Sequence, residues 1–148
     1  YRVRGLTALC DAVGTTIEKF AAIRKKEKGK PSPDKVLFVV ITDGEENSSK
    51  EYTASKVKKL IRKREKTDGW EFLFLGANID AAEEAEKIGI PEKRARTFRP
   101  DAPGLTLNFR ALNDAVVQIR SRGEIPDDWA AEIEADLRSR DPGDKKPK

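Results

Sequence analysis

Two hydrophobic periods alternate along the chain. Leu9, Val13, Ile17, Phe20 and Ile23 fall three or four residues apart, which predicts a helix from about Thr7 to Lys26 with one apolar face. Gly29-Lys30-Pro31-Ser32-Pro33 breaks it. Val36 to Thr42 is apolar at successive positions, which predicts a strand covered by helices on both faces and placed centrally in a parallel sheet. The helical period returns at Ala54, Val57, Leu60 and Ile61, opposite Lys56, Lys58, Lys59, Arg62, Lys63, Arg64 and Lys66, and ends at Asp68-Gly69. Trp70 to Leu75 reads as a second strand. Asp80-Ala81-Ala82-Glu83 has the spacing of a capping box and opens a short helix to about Ile88, which Gly89 stops.

Ala95 to Phe98 predicts a third, short strand, followed by a loop from Arg99 to Gly104 and a helix with Phe109, Leu112, Val116 and Ile119 on its apolar face. Gly123 closes that helix. Pro126 opens a last helical segment in which Trp129, Ile133 and Leu137 recur every four residues, a stripe that either docks on the domain or marks a partner surface. Asp141 to Lys148 is a tail of Pro, Gly, Asp and Lys, expected to be disordered. Helical segments alternating with short apolar strands are the mark of βαβ units, so the fold class is α/β with a mostly parallel sheet.

Composition narrows the chemistry more than the fold. The 148 residues, with 30 Lys and Arg against 26 Asp and Glu and 37% hydrophobic residues, suit one domain with a modest core. No Met is present and the chain opens on Tyr1, so either the natural start lies upstream or this is an excised piece. The single Cys10 allows no internal disulfide framework, and no apolar run approaches the roughly 20 residues needed to span a bilayer. No membrane partner is expected, and a cytoplasmic location is. Histidine is absent, which removes the Ser-His-Asp and Cys-His pairs and the HExxH zinc site. Neither a GxxxxGK[ST] phosphate loop nor a GxGxxG turn occurs. Chemistry is left to carboxylates, hydroxyls and lysines.

Against that background Asp43 stands out, because the run VLFVVIT ends on it. Ligands of open parallel sheets bind outside the carboxyl ends of the strands, where Asp43 falls. The competing reading is an Asx turn before Gly44. In Gly5-Leu6-Thr7-Ala8-Leu9, the Thr7 hydroxyl sits where it either caps the first helix or points across at the loop after Asp43.

Taken in order, GLTAL, a helix and LFVVITDGEEN resemble the von Willebrand factor A-type (vWA) domain. That family uses a G-x-T-x-L loop and a strand ending in T-D-G as the second and third parts of its metal ion-dependent adhesion site. Phe72 to Asp80, FLFLGANID, looks like the continuation in bacterial intracellular members, so the resemblance spans roughly Tyr1 to Ile119. It implies a Rossmann-like three-layer α/β/α sandwich, with a partial vWA-like domain over 1–122, an amphipathic helical extension over 123–140 and a basic tail over 141–148. It also implies that Thr7 supplies a hydroxyl ligand and Asp43 a carboxylate, directly or through water, to Mg2+ or Mn2+. Magnesium takes about six oxygens, commonly one or two carboxylates with hydroxyls and waters. An open coordination position would accept an Asp or Glu from a protein partner, so the implied activity is binding and the chain is not an enzyme. The family's first metal motif, D-x-S-x-S, is missing upstream of Thr7. The resemblance therefore implies absent N-terminal strands, an unpaired flank on Val36 to Thr42, and an ion only weakly held.

Other features have blander readings. The Lys56 to Lys66 run is read as the solvated face of a helix, making nucleic acid an unlikely partner. Glu45 and Glu46 are expected to face solvent, Ser48 and Ser49 to introduce the next helix, Asp80 to cap a helix, and Cys10 to pack as a small core residue. Gly104-Leu105-Thr106-Leu107 repeats the threonine-loop pattern but precedes the last sheet-covering helix and is expected to serve as its N-terminal cap. Two rival functions remain: a magnesium-dependent nuclease using Asp43, Glu45 and Asp80 beside the basic helix, and a metal-free scaffold working with an AAA+ ATPase, as some bacterial vWA proteins do.

Overall fold

The computed structural model describes residues 7–27, 29 and 35–140. Gly5 and Leu6 of the threonine loop, the breaker over 30–33 and the tail over 141–148 lie outside the described residues. The elements run α1 (Leu9–Lys26), β1 (Leu37–Thr42), α2 (Ala54–Asp68), β2 (Glu71–Ala77), α3 (Ala81–Lys87), a 3-10 turn (Glu92–Arg94), β3 (Ala95–Phe98), α4 (Ala102–Arg122) and α5 (Ala131–Arg140). Thr53 caps α2 by accepting from Lys56 N at 3.2 Å, and Gly69 ends that helix in the left-handed region at φ 64°.

The described strands form one parallel sheet in the order β1-β2-β3, so the α/β expectation holds, in a form consistent with a Rossmann-like arrangement. Alternate β2 side chains enter two cores. Phe72 and Phe74 pack with Leu9, Val13 and Ile17 of α1 and with Val57 and Ile61 of α2. Leu73, Leu75 and Ala77 pack with Ala111, Ala115 and Ile119 of α4 and with Trp129 and Ile133. Two expectations need correcting. Val36 to Thr42 was read from its apolar run as central, yet among the described residues β2 is the central strand; β1 is an edge with Ile41 52% exposed, in line with the unpaired flank expected for it in this chain. A continuous apolar run reports cover above and below the sheet; it carries no information about the in-plane neighbour.

The second correction concerns α4. Its buried face is Gly104, Asn108, Ala111, Ala115 and Ile119, whereas Phe109 is 67% exposed and Val116 40%. Small residues dominate the face of α4 that packs on Leu73, Leu75 and Ala77, Leu112 borders it half-buried, and the bulkier Leu105, Phe109 and Val116 are turned by roughly a quarter revolution from that face.

The segment over 123–140 folds back onto β3. Trp129 is buried and its Nε1 donates to Lys93 O at 2.9 Å, so of its two readings the docking one holds. Arg94 donates to Ile125 O at 2.7 Å and to Pro126 O at 3.2 Å, Arg96 pairs with Glu134, and Arg140 pairs with Asp101 at 2.5 Å. The outer strand β3 is only four residues long, and Arg96 Nη1 occupies the carbonyls of Glu92 and Ala95 at 2.9 and 2.6 Å. No described helix is long and apolar enough to cross a membrane.

Candidate metal-binding loops at the carboxyl edge of the sheet

Parallel strands deliver their carboxyl ends to one edge, where the loop after β1 meets the start of α1. The two segments are joined through Thr7 and Asn47. Thr7 N donates to Asn47 Oδ1 at 2.8 Å, and Asn47 N donates back to Thr7 O at 3.1 Å. The Thr7 hydroxyl faces Gly44: a Cβ added there would lie 2.7 Å from Thr7 Oγ1. The residue before α1, Ala8, has no side-chain capping bond. Of the two readings of Thr7, the structure thus adopts the one that points at the loop after Asp43. Thr42 Oγ1 fixes that loop from within, donating to Gly44 O at 2.9 Å and accepting from Gly44 N at 3.3 Å. Asp43 itself is exposed, immediately beside this contact.

Glu46 was expected to face solvent and is instead the hub of the loop. Its Oε2 accepts from Cys10 N at 2.5 Å and Ser49 Oγ at 2.7 Å, and its Oε1 from Ser48 N at 3.0 Å and Ser49 N at 2.8 Å. Burial alone would raise the Glu46 pKa, but the bonds from Cys10, Ser49 and Ser48 outweigh it and hold the carboxyl below its usual range. A carboxylate near the first turn of a helix also meets the positive end of the helix dipole. Ser48 and Ser49 serve this hub rather than starting α2, whose cap is Thr53.

Asp11 completes the clamp from the helix side. Its carboxylate accepts from Lys50 N at 2.8 Å, Glu51 N at 2.9 Å and Tyr52 N at 2.8 Å, while its own N–H donates to Ser49 Oγ at 2.9 Å. The Lys50 amide foremost, then those of Tyr52 and Glu51, lower its pKa against some desolvation. The buried Glu84 accepts from Glu46 N at 3.3 Å and pairs with Lys87. Sequence reasoning passed over Asp11, Asn47 and Glu84. The polar run EENSS signals a turn, but nothing in it names partners on a helix far upstream.

The remaining candidates separate. Asp80 caps α3 by accepting from Glu83 N at 3.0 Å, and Glu45 is exposed in the loop. Asp101, not a threonine hydroxyl, caps α4 through Gly104 N at 2.8 Å. Cys10 is buried, and burial first, with Glu46 beside it, pushes its thiol up to about 12. It is a protonated core residue at neutral pH.

Among the described residues, no group of three or more His, Cys, Asp or Glu side chains is disposed to hold a metal. Thr7 and Asp43 offer oxygen only, which suits a hard cation such as magnesium. They are two of about six donors, so most of the shell would be water. No protein-family model, characterised protein or solved structure matches the chain.

Proposed function

We propose that the chain is a vWA-type protein-interaction module, in which Thr7 and Asp43 contribute to a divalent cation that receives a carboxylate from a protein partner. The observation that carries this reading is the approach of the Thr7 hydroxyl to Gly44, next to Asp43. Two segments far apart in sequence supply a neutral and a charged oxygen ligand at the carboxyl edge of a parallel sheet. Gly44 permits the approach because any side chain there would collide with the threonine. The occupied state of Glu46 supports the same assignment: with its four acceptances satisfied inside the protein, Glu46 holds the loop in shape and leaves the exposed Asp43 to the ion. In this role the protein orients a ligand and moves no proton, and it is not an enzyme.

Manganese relaxation in the NMR spectrum tests the proposal at a named place. Substoichiometric Mn2+ should broaden the amide signals of Thr7 and of 43–47 before any others, and Asp43→Ala should abolish that selectivity. An acetate titration should then perturb the same amides only when Mg2+ is present. Uniform broadening, or broadening centred elsewhere and unchanged by Asp43→Ala, overturns the assignment.

A further inference from the structure

We propose that Asp43 is a self-modification site, at which the folded protein converts its own Asp43-Gly44 peptide bond into an isoaspartyl linkage. The chain carries the tripeptide Thr-Asp-Gly twice, at 42–44 and at 67–69. In an Asp-Gly pair the glycine puts no Cβ beside its nitrogen, so the aspartate side chain can close onto that nitrogen with little hindrance. The two copies share this local chemistry, and the fold treats them in opposite ways.

At the first copy the glycine is required. A Cβ on Gly44 would lie 2.7 Å from Thr7 Oγ1, so the approach of Thr7 to the loop keeps glycine after Asp43. Asp43 follows Thr42, the last paired residue of β1, and its side chain is exposed. Among the described residues, no hydrogen bond or ion pair holds its carboxylate. The Gly44 N–H donates to Thr42 Oγ1 at 3.3 Å, beyond the range of roughly 2.7–3.2 Å usual for such bonds.

The second copy is restrained at each of these points. Asp68 is the last residue of α2, its carboxylate pairs with Arg64 Nη1 at 2.6 Å, and the Gly69 N–H donates to Arg64 O. Ring closure needs the aspartate Cβ and the glycine nitrogen nearly eclipsed about the Cα–C bond, which a helical ψ of about −42° excludes. Asn47, which could close a ring in the same way, is also tied: its Oδ1 accepts from Thr7 N at 2.8 Å, and Ser48 N donates to Glu46 Oε1 at 3.0 Å. The fold thus leaves Asp43 as the reactive position of the loop.

In the step itself, Gly44 N attacks Asp43 Cγ and an N–Cγ bond forms. One carboxylate oxygen leaves as water, taking the amide proton and one proton from solvent. Water then opens the cyclic imide. Breaking the N–Cγ bond restores aspartate, whereas breaking the bond from nitrogen to the Asp43 carbonyl carbon leaves the chain joined through Cγ, with a free carboxylate on Cα. Either opening returns the solvent proton, so the net change is an isomerisation. The main chain gains one atom between Thr42 and Gly44, which moves Gly44 from its seat against Thr7. Loss of an ion ligand at Asp43 would follow as well, a consequence that rests on the metal reading above.

Ageing the whole 148-residue chain at neutral pH and physiological temperature tests the isomerisation, in chelator so that the result does not depend on that reading. Trypsin then releases the two copies in separate peptides, 36–50 and 67–87. Isoaspartate in each is measured by methyl transfer from S-adenosylmethionine, using an isoaspartyl methyltransferase. In the folded protein the product should build up in 36–50 at least about tenfold faster than in 67–87, and in urea the two rates should come within about threefold of each other. Thr42→Val should raise the rate at Asp43 by about twofold or more, because it frees the Gly44 N–H. Equal ageing of the two peptides in the folded protein overturns the proposal. So does a folded chain in which Asp43 ages at less than about one tenth of its rate in urea.

Discussion

Gly14 lies in the middle of α1, where glycine is ordinarily a poor choice by about 1 kcal/mol relative to alanine. A Cβ at this position would overlap the ring of Tyr52, which is buried against the helix with its hydroxyl donating to Glu18 and the Lys56 ammonium 4.1 Å from the ring centroid. Overpacking of this kind costs about 1–3 kcal/mol, which exceeds the propensity gain. Gly14→Ala should therefore lower stability by about 1–2 kcal/mol in urea unfolding. The same substitution in a Tyr52→Ala background should stabilise relative to that background, because only the propensity term then survives. Equal effects in both backgrounds would show that the ring contact does not restrain residue 14. Nothing about Gly14 marks it in the sequence as a packing glycine, because the ring that needs the space arrives from a loop on the far side of β1.

The joint between α1 and the loop after β1 makes an acid-sensitive clamp. Asp11 and Glu46 both have pKa values below their ordinary range in the folded protein. A depressed folded pKa contributes stability that is fully present above the unfolded value, about 4, and is lost as pH falls through the folded one. Glu46→Gln should cost about 1–2 kcal/mol at neutral pH by weakening bonds to Cys10, Ser48 and Ser49. Its urea midpoint should also fall less steeply than the parent's between about pH 5 and 3. Parallel acid limbs in the two proteins would exclude Glu46 as a source of the slope. This clamp was illegible beforehand because its bonds join main-chain amides to side chains distant in sequence. Elements with strong local signals fared better. Ala95 to Phe98 and the Asp80 cap were placed as found, since both are set by residues within one turn or strand. For α4 the periodicity announced a helix but pointed at Phe109 and Val116, while the small Gly104, Ala111 and Ala115 are the buried ones. Of the candidate site, the Thr7 to Gly44 approach followed an order of motifs already visible in the chain; the buttress of Asp11, Asn47 and Glu46 behind it did not.

The two cores lie on opposite faces of a sheet that shares β2 between them, so their stabilities should be coupled. Trp129 belongs to one core and Trp70 to the other, and the chain has no further tryptophan. Trp129→Ala should remove about 3–5 kcal/mol and leave Trp70 as the sole tryptophan, excited selectively over the two tyrosines. Unfolding followed by Trp70 should then shift to lower urea in step with far-ultraviolet circular dichroism. A Trp70 transition that stays in place while part of the helical signal melts early would identify 123–140 as an independent unit.

The unequal edges of the sheet have a consequence for how far association can proceed. In the language of polymerisation, a monomer with two reactive ends gives chains and a monomer with one gives pairs. Here β1 presents six residues of strand, whereas β3 presents four, with the Arg96 guanidinium already seated on the Ala95 carbonyl and the 123–140 segment packed against it. Arg96 thus acts as a chain terminator on that side: further strands are kept from adding at β3, and the described sheet cannot propagate in both directions.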